Sequence, residues 1–110
     1  MKHIAYAETQ FGTDDHLADL VLEYATLLAR SNSADTVVVP GRIGTGAVED
    51  IAMLVGPASQ ITAWSDDEPF GSDVSGAVAE LEHRIRLVST NIATSSEEPM
   101  RGFDEYDDLS

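Results

Sequence analysis

The chain has 110 residues, the usual size of one folded core, and its hydrophobic content of 43% includes so few aromatics that Val, Leu, Ile and Ala must fill the interior. Twenty acids against six bases give a net charge of −14, which disfavours direct binding to nucleic acid or an anionic membrane, since either needs a basic face. The absence of cysteine excludes disulfides, thiolate metal sites and a cysteine nucleophile.

Met1-Lys2 leads directly into strand-like residues, without the apolar region of a signal peptide, and no apolar run approaches the roughly 20 residues that span a bilayer. A cytoplasmic protein is expected. Lys2 to Ala7 alternates Ile4 and Tyr6 on one face with His3, Ala5 and Ala7 on the other, and reads as a strand followed by a turn from Glu8 to Gly12. Thr13 then caps a helix with Asp14 and Asp15 in its first turn, where carboxylates favour the positive end of the macrodipole. Leu17, Leu20, Val21, Tyr24, Leu27 and Leu28 form an amphipathic stripe that predicts this helix to about Arg30.

Thr36-Val37-Val38-Val39 is a β-branched run without polar alternation, as expected of a strand buried on both faces of a parallel sheet, and Pro40 ends it. From Ala47, the spacing of Val48, Ile51, Ala52 and Val55 predicts a short helix opened by Glu49 and Asp50 and stopped by Gly56-Pro57. Gln60 to Trp64 gives another strand, completing a βαβ unit with a right-handed crossover. After a polar loop, Ser72 or Asp73 caps a last helix whose residues Val74, Val78, Leu81, Ile85, Val88 and Ile92 repeat in a heptad rhythm. The pattern ends at Thr94. The order β-α-β-α-β-α predicts an α/β fold with a three-stranded parallel sheet over residues 1–93, followed by an acidic, disordered tail over 94–110.

In an open parallel sheet, ligands lie beyond the carboxyl ends of the strands. The expected site is the turn from Gly41 to Gly46 at a helix N-terminus, where free N–H groups and a partial positive charge suit an anion. Arg42, Gly44, Thr45 and Gly46 would hold a phosphate, while Glu8 or Asp66 takes sugar hydroxyls; Asp66 follows Gly46 by twenty residues, as in dinucleotide folds. His16, on the first turn of helix 1, is the histidine nearest this rim and the candidate base. The glycines match neither the Walker nor the dinucleotide order, and Glu49 and Asp50 would repel a phosphate.

No catalytic constellation is assembled, and no metal or cofactor is expected. Two functions follow. The first is a non-catalytic interaction or regulatory protein that self-associates as a homodimer through the last helix or an edge strand. Its acidic tail, with Phe103, Tyr106 and Leu109 at three-residue spacing, would address a basic protein partner. The second is a binding domain for an anionic or nucleotide-like ligand at the Gly41–Gly46 turn.

Overall fold

The computed structural model describes residues 1–97. Five strands and two helices follow in the order β1 (Lys2–Tyr6), β2 (Thr9–Thr13), α1 (Asp15–Arg30), β3 (Asp35–Arg42), β4 (Val48–Val55), β5 (Ile61–Ser65) and α2 (Ser75–Glu97). The strands form one sheet, ordered β4-β3-β2-β1-β5, whose pairings are antiparallel. The expected three-stranded parallel β-α-β-α-β-α fold is therefore corrected to a mostly β, antiparallel sheet with two helices.

Two segments account for the difference. Residues 48–55 form β4 instead of a helix, because Ile51, Met53 and Val55 also alternate, and this alternation buries them against β3. Nine residues between glycines make a weak helix alone, and tertiary pairing decides the outcome. The glycine-rich stretch before them is a hairpin connection: Gly44 takes φ 61, and the Gly46 N–H donates to Ile43 O at 3.1 Å. Gly41 serves packing, since a Cβ there would lie 2.6 Å from Ile51 Cδ1 and 2.7 Å from Phe11 Cδ2. Likewise, most of the predicted Glu8–Gly12 turn is β2, where Phe11 and Thr13 point inward. Only Ala7 and Glu8 remain as the connection.

Ala7 adopts φ 55, a left-handed conformation that costs an ordinary L-residue about 1 kcal/mol. Ala7→Gly is accordingly expected to stabilise the fold by up to about 1 kcal/mol in urea unfolding. An unchanged or lowered midpoint would show that this turn carries no strain.

Both helices lie on one face of the sheet. Leu17, Val21, Tyr24 and Leu28 of α1, with Leu81 and Ile85 of α2, close over Ile4, Phe11, Val37, Val39, Met53 and Val55. The cap of α1 is Asp14, whose Oδ2 accepts the Leu17 N–H at 3.1 Å, one residue later than expected. Its C-terminus is closed by a Schellman pair, Ser33 N–H to Leu28 O at 2.9 Å and Asn32 N–H to Ala29 O at 3.2 Å, with Asn32 at φ 54. The heptad stripe of α2 packs against this core through Val74, Val78, Leu81, Ile85 and Val88, leaving Leu87 exposed. The predicted tail beyond Glu97 lies outside the described residues.

Side chains fasten the layers together. Asp35 Oδ2 accepts the Tyr24 hydroxyl at 2.6 Å and Arg84 Nη1 at 3.0 Å, and Arg84 Nη1 also donates to Thr36 O at 2.9 Å. This joins α1, β3 and α2 at one point. Across the middle of the sheet, β2 and β3 share a single backbone pair, Gly12 with Arg42. Beside it the wholly buried Thr13 hydroxyl donates to Pro40 O at 2.7 Å. Thr13→Val keeps the shape but strands that carbonyl, so thermal or urea unfolding should register a loss of about 1–2 kcal/mol. A neutral result would mean that the seam does not depend on this bond.

Candidate functional site

The sheet has a second face, and among the described residues no helix covers it. Strand alternation turns His3, Ala5, Val38, Ala52, Leu54 and Trp64 away from the core, as the cross-strand pairs His3–Trp64, Val38–Ala52 and Thr36–Leu54 require. Val38 is 54% exposed, Leu54 56% and Trp64 42%. Scattered exposed apolar residues are ordinary, whereas several gathered on one strand face form a patch. The expectation that residues 36–39 are buried on both faces is thus corrected: Val37 and Val39 are buried, and Val38 is exposed.

One border of this face is built in detail. The rings of His3 and Trp64 stack with centroids 5.5 Å apart and planes 15° from parallel. The His3 Nε2–H donates to Asp66 Oδ2 at 2.6 Å, and Asp66 Oδ1 accepts the Glu68 N–H at 3.0 Å. These bonds, the one from His3 foremost, hold the Asp66 carboxyl below its usual range. Met1 covers Gly12 in the same cross-strand row, since a Cβ on Gly12 would meet Met1 Sδ at 2.5 Å. Beyond Gly12, the Arg42 guanidinium lies 5.5 Å from the centroid of Phe70, a buried ring outside the main core. The border is thus preorganised by stacking, a side-chain hydrogen bond and a cation–π contact.

The residues singled out from sequence divide between different places. Arg42 pairs with Gly12, and Asp66 follows Ser65, the partner of Lys2, so both belong to the border just described. Glu8 lies in the β1–β2 turn, next to the Tyr6–Thr9 pair at the other end of β1. Gly44, Thr45 and Gly46 form the β3–β4 connection and stand before a strand, so the helix N-terminus that motivated an anion site there does not exist. His16 is exposed, with Nε2 3.6 Å from Glu82 Oε2 on α2. Glu8 thus stands at the opposite end of the sheet from Arg42 and Asp66. Sequence reasoning missed His3, Val38, Leu54 and Trp64, although the period-two alternation of β4 could have revealed the bare face.

A cleft of about 400 Å³ lies beside Tyr6, Ala7, Ala34, Leu54 and the Gly56–Gln60 connection. It has no charged side chain in its lining, and its one ionisable group, the Tyr6 hydroxyl, already donates to Leu54 O. Among the described residues, no group of three or more His, Asp or Glu side chains is placed to hold a metal ion, and no helix is long and apolar enough to cross a membrane. No family model, no curated protein and no solved structure matches the chain.

Proposed function

We propose that the chain is a non-catalytic interaction protein of the cytoplasm, working by docking its helix-free sheet face against another protein surface. The observation that carries this reading is the exposure of Val38 and Leu54 as diagonal neighbours on β3 and β4, with Trp64 exposed separately on β5. Their surroundings support it. In a chain of net charge −14, the strand positions of this face hold a single acid, Asp50, and charge-poor apolar centres are what protein interfaces bury. The stacked and hydrogen-bonded border holds Trp64 in place before contact, which lowers the ordering entropy of association.

The test is a photo-crosslinking amino acid placed at Val38 and, as a control, at the exposed Glu23 of α1, in the intact chain inside cells. Protein adducts are expected from position 38 and not from 23. Adducts from neither position, or equally from both, would remove this face as an interface.

A further inference from the structure

We propose that the outer border of β4 pairs antiparallel with β4 of a second copy, joining two five-stranded sheets edge to edge about a two-fold axis at Ile51. This border is distinct from the helix-free face, and its pairing does not depend on the docking role given to that face. Main-chain bonding is the first argument. β4 pairs with β3 at every position from Val48 to Val55, and its other border is the end of the sheet. In an antiparallel ladder, alternate pairs do not bond to each other and turn their N–H and C=O groups away from the partner strand. Pro40 has no N–H and its carbonyl accepts from Thr13, so Pro40–Asp50 is such a pair. Thr36–Leu54 is another: Thr36 O accepts from Arg84, and Leu54 O accepts from the Tyr6 hydroxyl and from Ser59 Oγ at 3.1 Å. The same alternation turns the groups of Ala52 outward. The outward carbonyls of Thr36, Pro40 and Leu54 are thus filled from within the fold. Among the described residues, nothing bonds to the outward groups of Asp50 and Ala52. Proline, lysine and bulges, by which sheets commonly keep their borders apart, are absent from β4.

Side-chain order selects the occupant. Glu49 and Asp50 stand near the start of β4, and Ile51 to Val55 is apolar throughout. A second β4 running the opposite way therefore lays its apolar end against those acids. Outward groups must meet outward groups, so the symmetric registers that engage both Asp50 and Ala52 within the strand centre on residue 50, 51 or 52. Centring on 50 sets Asp50 against Asp50, a like-charge pair. Centring on 52 sets Asp50 against Leu54, whose carbonyl is already taken. Centring on Ile51 pairs Asp50 of each copy with Ala52 of the other, each pair exchanging both backbone bonds. It also places Leu54 against Val48, Glu49 against Met53 and Ile51 against its own equivalent. Other strands fit less well. Residues 98–110 of the chain hold five acids and one base, and would meet Glu49 and Asp50 with like charge. A basic strand would complement those two acids and set its remaining charges against Ile51 to Val55.

The chain has no cysteine, so single cysteines report the register directly. In the proposed pairing the two Ile51 side chains face each other across a non-bonded pair, within reach of a disulfide, whereas the two Glu49 side chains stand four strand positions apart. The full chain is oxidised mildly as Ile51→Cys, Glu49→Cys and, as a control on exposed α2, Leu87→Cys. Sedimentation velocity follows wild type, Ala52→Pro and Ala52→Lys in about 0.5 M NaCl, which screens the repulsion between two chains of net charge −14. Proline at 52 removes an outward donor and no bond to β3, and lysine keeps the backbone while charging the border. The expected result is a wild-type dimer whose affinity falls by roughly tenfold or more in both Ala52 variants, with the circular dichroism spectrum retained. Ile51→Cys should form the linked dimer about tenfold faster than the other two cysteine variants. A wild-type chain that stays monomeric, a dimer untouched by Ala52→Lys, or linkage at 49 or 87 as fast as at 51 overturns the inference. The crosslinker at position 38 reads the face separately: its failure leaves the edge dimer standing, and a monomeric chain leaves the face reading standing.

Discussion

Leu17→Ala is expected to cost about 3–4 kcal/mol in urea unfolding, the largest loss of any substitution considered for this chain. Leu17 is wholly buried at the first turn of α1, within the cluster that joins both helices to the sheet. Removing its branch takes away the transfer free energy of the lost carbons and leaves a cavity that β1 and α2 can fill only partly. Domains of this size have total stabilities of roughly 5–15 kcal/mol, so the variant should unfold at much lower urea. Leu87→Ala is the control, because Leu87 is 54% exposed and its truncation should shift stability by about 0.5 kcal/mol or less. Equal effects at the two positions would contradict the inward and outward faces assigned to the helices.

The second large effect is expected at Asp35. Its carboxylate accepts from the buried Tyr24 hydroxyl and from Arg84, so Asp35→Ala leaves one phenol without an acceptor and one guanidinium with fewer partners. Asp35 and Arg84 are each about a third exposed, which moderates the ion-pair share, and a loss of about 2 kcal/mol is expected. Tyr24→Phe should cost about 1 kcal/mol, and the double variant less than the sum of the two. The same site responds to alkali. Burial, and then the hydrogen bond to Asp35, push the Tyr24 phenol up to about 12. Because the folded value lies above the unfolded value of about 10, the neutral phenol's contribution is fully present below pH 10 and is lost as pH rises towards 12. The difference in unfolding free energy between wild type and Tyr24→Phe should therefore shrink over that interval. A difference that stays constant with pH would mean that Tyr24 ionises like a free phenol.

The helices were legible in the sequence because each carries a signal of a single period. Leu17, Leu20, Val21, Tyr24 and Leu28 fit only a helix, although its cap, read at Thr13, is Asp14. β1 and β5 were legible as short β-prone runs, and β3 in its first half. Residues 47–55 fit two periods at once: Val48, Ile51, Ala52 and Val55 repeat like a helix, while Ile51, Met53 and Val55 alternate like a strand. The hairpin partner supplied by β3 decides between them, and that partner is a tertiary fact. β2 was hidden by composition, since glutamate, threonine, glutamine and glycine signal a turn while only Phe11 signals a core.

The candidate site was legible only at Arg42 and Asp66. Arg42 was chosen for a phosphate and Asp66 for a sugar hydroxyl, whereas the structure places both at the edge of the sheet. Trp64 and Val38 passed unnoticed because an apolar residue in a strand is read as interior unless the layer opposite is known to be missing.

The lone Gly12–Arg42 link divides the sheet into two plates, β3 with β4 and β2 with β1 and β5. Backbone cooperativity runs strongly within each plate and thinly between them, so α1, α2 and the Thr13 bond act as the clasp. A molecule built this way can flex along its midline without unravelling either plate.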